Sequence, residues 1–236
     1  MLQKTINKNL PLFGGTVLKA SCLCVAVFLG ACANQPPPVS EDGLVLVPSQ
    51  GSATIYRRPG AKLTGYTEFG LGACSVSFKR NWLRDQNSRT LDLSNRVTQK
   101  DVDRIKDTLA GQCDTYLREA LLEDPAYTLV DTFADGESVL IIRPAITNLD
   151  VAAPDNQGPG IQRSYTTSSG EMTLNLELID ATTGEVLVRA YDRKRDPDTN
   201  FMQWTNSITN KAEANRMLKD WASRLRAGLD QALSDS

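Results

Sequence analysis

Alternation between apolar and polar residues predicts strands in the second half of the chain. The alternation is cleanest over residues 171–180, where four apolar side chains share one face: Met172, Leu174, Leu176 and Leu178. The turn-forming residues 180–185 follow, so residues 186–193 are predicted to return as the partner strand of a hairpin. Residues 139–149 form another predicted strand, and Pro144 inside it indicates an edge strand or a bulge.

Two further apolar patterns precede this region. Residues 44–47 are a brief apolar run, and residues 66–79 are predicted to form one continuous strand. In that strand the alternation puts Cys74, Val76 and Phe78 on one face.

Two longer segments show the spacing of three to four residues that is typical of an amphipathic helix. In the first, which Thr98 or Asp101 caps, the apolar positions are Val102, Ile105, Leu109, Cys113, Tyr116 and Ala120. In the second, over residues 210–233, they are Ala214, Leu218, Trp221, Leu225, Leu229 and Ala232. Asn210 and Glu213 resemble a capping box at the start of this helix.

The order of these elements predicts a single two-layer α+β domain over residues 44–236, with both helices on one face of a mainly antiparallel sheet. Cys74 lies on the strand face that the first helix is expected to cover, and Cys113 lies on the apolar side of that helix. We therefore predict a disulfide between these two cysteines. Two buried free thiols are the alternative.

The N-terminal residues have the composition of an export signal. Three lysines precede an apolar run over residues 20–29, which is shorter than the roughly 20 residues that a membrane-spanning helix needs. Residues 29–32, Leu-Gly-Ala-Cys, resemble the lipobox of bacterial lipoproteins. This resemblance implies a signal peptide over residues 1–31 and a diacylglycerol-modified Cys32, whose acyl chains anchor the mature protein in a membrane.

Residues 32–43 are proline-rich and poor in apolar side chains, which predicts an extended tether between the anchor and the domain. Position 33 is alanine rather than aspartate. By resemblance to the sorting rule of enteric bacteria, this residue implies the periplasmic face of the outer membrane as the destination.

Composition narrows the classes of function. Removal of the three lysines of the signal peptide changes the formal net charge from −2 to −5, and an acidic domain is unsuited to nucleic acid, whose phosphates require Lys and Arg. The chain has no histidine, which excludes Ser-His-Asp and Cys-His catalysis and histidine-ligated zinc or haem. We expect no cofactor.

A hydrolase built on two carboxylates is the remaining catalytic option. Spacing singles out none of its candidates, which are Asp85, Asp150, Asp155, Glu171 and Glu177. Residues 196–200 match the first three oxygen ligands of a calcium loop, but Phe201 and Ser207 stand where that loop requires glycine and glutamate. We therefore assign no catalytic residue and no metal site.

Two segments are candidate binding surfaces. Trp82 begins a segment that suggests either a recognition loop or a strand end whose tryptophan fills the core, and its polar residues are Arg84, Asp85, Gln86 and Asn87. Arg189, Arg193 and Arg195 share the outward side of their strand. They are suited to bind an anionic partner, or to prevent edge-to-edge strand pairing.

Three segments behind the lipobox carry a family resemblance: Trp82-Leu-Arg-Asp-Gln-Asn87, Pro144-Ala-Ile-Thr-Asn-Leu-Asp150 and Thr183-Gly-Glu-Val186. In this order they resemble a proteobacterial envelope lipoprotein family catalogued as a domain of unknown function. The resemblance implies an envelope lipoprotein without an assigned activity, substrate or cofactor.

Three hypotheses for the function remain. The favoured one is a non-catalytic lipoprotein that binds a protein partner in an envelope complex, because the sequence supplies no reaction. The second is a binding module for lipid or cell-wall glycan, which an apolar pocket would indicate. The third is a carboxylate-based hydrolase, which requires two close carboxylates with raised pKa in a cleft.

Overall fold

A mainly antiparallel sheet and two long helices form most of the regular structure in the described part of the chain. The computed structural model describes residues 36–49, 51–88, 96–132, 138–151, 164–166, 170–195, 203–205 and 207–234. In these residues the elements are, in chain order, β1 (Val45–Val47), β2 (Thr54–Arg57), β3 (Glu68–Leu71), β4 (Ser75–Phe78), α1 (Trp82–Ser88), α2 (Gln99–Leu122), β5 (Thr128–Leu129), β6 (Val139–Val151), β7 (Ser164–Thr166), β8 (Gly170–Asp180), β9 (Val186–Arg195), β10 (Gln203–Thr205) and α3 (Ser207–Ser234).

The main sheet has the strand order β1-β2-β9-β8-β6-β3-β5, and β4 also pairs with β6. Neighbouring strands pair antiparallel along the part of the sheet with the order β1-β2-β9-β8-β6. β3 and β4 run parallel to β6, and β5 runs parallel to β3. The two long helices, α2 and α3, pack against the inner face of this sheet around one core. The predicted two-layer α+β class is confirmed. β7 and β10 form a separate two-stranded sheet.

The hairpin of β8 and β9 follows its sequence pattern closely. The predicted inward row of β8 is buried: Met172, Leu174, Leu176 and Leu178. The turn is held by the Asp180 carboxylate, which accepts a hydrogen bond from the Thr183 N–H at 2.7 Å. Gly184 in the turn has φ of +72°, a conformation that glycine adopts without steric strain.

The prediction that Pro144 marks an edge strand or a bulge is wrong. β6 lies inside the sheet, and its register shift occurs between Thr147 and Asp150. The carbonyl of Ile142 accepts a hydrogen bond from the Gly72 N–H, so it points toward β3 and β4. Backbone groups two residues apart point to the same side of a strand, and the nitrogen of Pro144 therefore points to the gap between β3 and β4. In the described part of the chain no strand lies opposite this nitrogen, and the sheet therefore loses no hydrogen bond through the missing N–H of proline.

This gap also corrects the prediction of one strand over residues 66–79. The segment forms two strands, β3 and β4, which pair with successive parts of β6 and are separated by residues 72–74. A gap in the ladder opposite Pro144 accommodates the break, because proline donates no hydrogen bond to a partner strand.

One predicted helix start agrees with the structure and the other does not. Thr98 is the N-cap of α2, and it forms a capping box with Asp101. The second helix, α3, begins at Ser207, so Asn210 lies inside it and is not its cap. The apolar face of α3 first appears at Ala214, and therefore the hydrophobic period gave no information about the first polar turn.

Cys74 and Cys113 are bonded as a disulfide with a Cα–Cα distance of 6.2 Å, as predicted. Both residues are buried in the core, and the bond joins the segment before β4 to the middle of α2.

Residues 36–43, assigned above to the tether, lie along the edge of the sheet. The Leu46 N–H donates to the carbonyl of Pro38 at 2.9 Å. Val39 and Val45 form an isolated antiparallel bridge. Backbone hydrogen bonds to the edge strand thus hold residues that the composition assigned to the tether.

Candidate binding groove

An apolar groove lies between α3 and the half of the sheet formed by β1, β2, β9 and β8, with a volume of about 260 Å³. Its floor consists of three rows of inward side chains, and each row crosses from β8 over β9 to β2 or the residue before it. From one end of the groove to the other, the rows are Leu178, Val188 and Arg57; Leu176, Ala190 and Ile55; and Leu174, Asp192 and Ala53. The helix side is formed by Trp221, Leu225, Gly228, Leu229 and Ala232. The lining thus combines apolar walls with charged groups near each end.

Small residues keep this groove open. Ala53 and Ala190 lie on the strand side, and Gly228 and Ala232 lie on the helix side. A Cβ atom built at Gly228 has no neighbouring heavy atom within 4 Å. A larger side chain at Gly228 therefore has room to extend into the groove, and the volume depends on the absence of large side chains at these positions.

A buried carboxylate closes one end of the groove. Asp192 is 5% exposed and accepts hydrogen bonds from Trp221 Nε1 at 2.9 Å and from Ser52 Oγ at 2.6 Å. The ammonium of Lys194 lies 3.5 Å from the same carboxylate. Because Asp192 is satisfied by these donors, its role is to hold β9, α3 and the segment before β2 together.

Arg57 lines the opposite end. Its Nη2 donates to the carbonyl of Ala61 at 2.8 Å, and the residue is exposed. Among the residues that the structure describes, Arg57 has no carboxylate partner. Arg224, the other arginine of the groove, lies 3.1 Å from the Asp220 carboxylate.

The Trp82 segment is neither a loop nor a strand end, because residues 82–88 form α1. Trp82 is 4% exposed, and its ring centroid lies 4.2 Å from that of Phe78. Asn87 hydrogen-bonds both the N–H and the carbonyl of Val97, at 2.9 and 2.8 Å. One of the two alternatives from the sequence was a tryptophan that fills the core. Trp82 is buried in this way, but it lies in a helix and not at the end of a strand.

The other polar residues of α1 divide into two kinds. Gln86 donates to the carbonyl of Val151 at 3.1 Å, which fastens the helix to the end of β6. Arg84 and Asp85 form an exposed ion pair with each other at 2.8 Å. In this segment, therefore, the structure assigns most of the candidate recognition residues to packing.

The predicted basic stripe consists of ion pairs. Arg189 contacts Glu177 at 2.7 Å and Asp42 at 2.9 Å, and Arg193 contacts Glu171 at 2.5 Å. The hydrogen bond from Arg189 lowers the pKa of Asp42 to about 2. Arg195 lies on the same outward face and also has an interaction partner. These carboxylates offset the positive charge that the sequence suggested for an anionic partner.

One comparison decides the family. The profile of a family described as "Protein of unknown function (DUF3313)" matches residues 42–225, which is most of the chain. This chain belongs to the DUF3313 family. The resemblance to a domain of unknown function is thereby confirmed. No curated protein matches the DUF3313 chain.

Several solved structures are similar to the DUF3313 chain at low identity. The PelC dodecamer from Paraburkholderia phytofirmans is 11% identical, with 74% of this chain and 97% of that chain covered and a TM-score of 0.34. A Xanthomonas campestris protein of the DUF330 family is 12% identical, with 76% and 94% covered and a TM-score of 0.41. The rare lipoprotein B from Shewanella oneidensis is 12% identical, with 70% and 93% covered and a TM-score of 0.30.

The candidate carboxylates of a hydrolase are held in surface ion pairs in this DUF3313 domain. Asp150 contacts Lys79 at 3.0 Å, and Glu177 contacts Arg143 as well as Arg189. Burial raises the pKa of Glu177, but hydrogen bonds from the two arginines outweigh it and the pKa is lowered. Asp155 lies outside the described residues. In the described part of the chain, each of these candidates contacts a basic side chain, as Asp85 does with Arg84 and Glu171 with Arg193.

The remaining candidate sites are the predicted lipid-bearing cysteine and metal-binding groups. Cys32 and the calcium-like residues 196–200 lie outside the described residues. Among the described residues, no group of three or more Cys, Asp or Glu side chains is arranged to hold a metal ion. The described helices also include none that is long and apolar enough to cross a membrane.

Sequence reasoning missed the groove, although a signal for it exists. Ala190 interrupts the larger inward residues of β9, and Gly228 and Ala232 are spaced four residues apart beside the apolar stripe of α3. Small residues on core-facing positions of two elements that pack together indicate a space between them. This pattern indicates a groove only when it is known that α3 packs over β9, and the sequence does not show which strand α3 packs against.

Proposed function

We propose that this DUF3313 protein is a lipid-anchored lipoprotein of the bacterial envelope, whose periplasmic domain is a non-catalytic binding module for an apolar, chain-shaped lipid. Residues 1–31 are its signal peptide, and Cys32 anchors it to the periplasmic face of the outer membrane. The observation that carries the proposal is the apolar groove between α3 and the sheet. An apolar pocket is the feature that distinguishes a lipid-binding module from the other hypotheses.

The size and lining of the groove favour an acyl chain over a glycan. Its volume of about 260 Å³ lies just below the roughly 300–1,000 Å³ of typical small-molecule sites. Its charged lining residues are confined to Arg57, Asp192 and Arg224. A glycan requires hydrogen-bonding groups along its length, whereas each methylene of an acyl chain gains about 0.8 kcal/mol when it leaves water.

The position of the anchor supports the same class of ligand. Pro36 lies four positions after Cys32, and this stretch of chain spans at most about 14 Å. Pro38 is hydrogen-bonded to Leu46 of β1, and β1 and β2 both contribute to the groove. A lipidated Cys32 therefore holds this edge of the sheet close to the membrane surface, where acyl chains are abundant.

Titration with decanol tests the proposal, because an uncharged chain probes the apolar groove alone. Residues 36–236 form a compact unit with its own core, so the soluble chain from residue 33 is suited to this experiment. Calorimetry is expected to show one decanol bound per chain. A concentration of 100 times Kd should raise Tm by roughly 5–10 °C. Absence of both binding and a Tm shift would contradict the proposal.

The outer face of the sheet favours a second function, as a protein-binding accessory of an envelope complex. Neither α2 nor α3 covers this face. Asn175 Oδ1 is shielded from solvent and has no hydrogen-bond partner among the described residues. Tyr191, its register partner on β9, is 37% exposed. A polar atom that lacks a partner beside an exposed aromatic ring is typical of a surface that a second protein completes.

Affinity capture of the tagged lipoprotein from crosslinked envelopes tests this second function. A specific partner should be captured by the wild-type protein and lost with Tyr191→Ser. The control is Leu122→Ser, since Leu122 is 49% exposed at the end of α2, away from the sheet face. Equal capture by both variants would exclude the outer face as the binding surface.

A further inference from the structure

Resting on the proposed function, we infer that the groove selects a fatty acid and orients it, with the carboxylate at Arg57 and the end of the chain beside Trp221. The ligand class follows from the charges around the groove, and the direction follows from where those charges lie. Both are additional to the binding of an apolar chain.

The two charged groups at the Trp221 end already have partners. Asp192 accepts hydrogen bonds from Ser52 and Trp221, and Arg224 pairs with Asp220. Asp192 also repels a second carboxylate, because like charges at close range destabilise each other in a poorly solvated site. This end therefore excludes the head group of a fatty acid.

Arg57 at the other end is suited to a carboxylate. Its guanidinium has five N–H donors, of which one is used by the carbonyl of Ala61. Among the described residues no carboxylate offsets its charge. A planar guanidinium with free donors binds a carboxylate through two parallel hydrogen bonds, and at the mouth of the groove it remains accessible from solvent.

The distance between the two ends fits a single extended chain. Along β8 the floor runs from Leu178, beside the Arg57 rung, to Leu174, beside Asp192. Four residues of strand extend over about 13 Å. The helix side follows the same course, from Ala232 back to Trp221. A chain whose head group contacts Arg57 thus ends against the buried indole of Trp221.

Photo-crosslinking tests this inference on the full lipidated protein in phosphatidylcholine vesicles. The probes are a fatty acid with a diazirine at the end of its chain and the fatty alcohol of the same length. We expect the acid to label the α3 peptide that contains Trp221, with roughly 1.4- to fivefold more product than the alcohol, since an exposed ion pair contributes about 0.2–1 kcal/mol. Arg57→Gln should remove this difference, whereas Arg57→Lys should retain most of it.

Arg84→Gln is the control, because Arg84 is an exposed arginine of α1 that does not line the groove. It should keep the preference for the acid. Equal labelling by acid and alcohol in the wild-type protein, or an unchanged preference in Arg57→Gln, would overturn the inference about the head group and leave the groove as an apolar site. Absence of labelling by both probes would overturn the proposed function as well.

Discussion

Trp221 of α3 donates its indole N–H to the carboxylate of Asp192 on β9 at 2.9 Å, and both side chains are at least 95% buried. This hydrogen bond joins the helix side of the groove to its strand side at the closed end. The carboxylate also accepts from Ser52, so that three separate parts of the chain meet at one group. The width of the groove is set there by a polar contact, since the apolar residues further along leave space between helix and sheet.

Removal of this carboxylate is therefore expected to destabilise the fold. Asp192→Ala leaves the Trp221 N–H and the Ser52 hydroxyl without the carboxylate to which they donate, at a cost of about 1–3 kcal/mol. Urea unfolding of the soluble chain measures the free energy of unfolding. Asp85→Ala is the control, because Asp85 is exposed and pairs with its neighbour Arg84, and it should change stability by less than about 0.5 kcal/mol. Equal values for the two variants would contradict a structural role for Asp192.

The disulfide between Cys74 and Cys113 should contribute strongly to stability. The two residues are 39 positions apart, and closing a loop of this length stabilises a fold by about 4 kcal/mol in the chain-entropy model. The double variant Cys74→Ala, Cys113→Ala is expected to lose most of this in urea unfolding. The wild-type soluble chain, unfolded without reductant, should contain no thiol that can be alkylated. Two alkylatable thiols would show that the bond is absent in the isolated protein.

The ion pair between Asp42 and Arg189 should make stability depend on pH in the acidic range. The hydrogen bond from Arg189 lowers the pKa of Asp42 to about 2, below its ordinary value of 3.8. The pair therefore stabilises the folded state fully above about pH 4, and this contribution is lost as the pH falls through 2. Asp42→Asn should lower Tm at pH 5 and have little effect near pH 2.

The control for this prediction is Glu41→Gln at the exposed neighbouring position. It should give a Tm difference from wild type that does not change over the same range. Carboxylates whose pKa is also lowered but that do not contact Arg189, such as Asp101, are present in both proteins and cancel in the comparison. A Tm difference for Asp42→Asn that stays constant from pH 5 to pH 2 would contradict the assigned pair.

The proposed anchor is tested at Cys32. Cys32→Ser removes the thiol that accepts diacylglycerol, so the precursor should remain unprocessed by the lipoprotein signal peptidase and should not incorporate labelled palmitate. Cys24→Ser is the control within the apolar run and should be processed normally. Incorporation of palmitate by Cys32→Ser would show that another residue carries the lipid.

The sequence predicted those parts of the fold that local periodicity determines. Apolar and polar residues alternate along β8 because one face of the strand packs against the core. Apolar residues recur every three or four positions in α2 because one side of the helix packs against the core. The disulfide could be predicted as well, since Cys74 and Cys113 each lie on an apolar face.

The remaining features depend on neighbours that are distant in the chain. Pro144 fits a central strand only because the ladder opposite it is interrupted between β3 and β4. The charge of Arg189 is offset by Asp42, which lies 147 positions away in sequence. The groove is likewise lined by small residues of two elements that are distant in sequence, Ala190 of β9 and Gly228 of α3. No local pattern contains these relationships.

The affinity of Gly228→Leu for decanol tests whether the groove between α3 and the sheet binds an apolar chain. Gly228 lines the groove and has open space around it, so a leucine side chain should occupy volume there and lower the affinity at least tenfold without destabilising the fold. Gly111→Leu on α2 is the matched control, since Gly111 also has open space around it, lies in a helix and does not line the groove. Both substitutions should stabilise their helices by up to about 1 kcal/mol. If the two variants bind decanol as tightly as the wild-type chain, the groove is not the binding site and the account is contradicted.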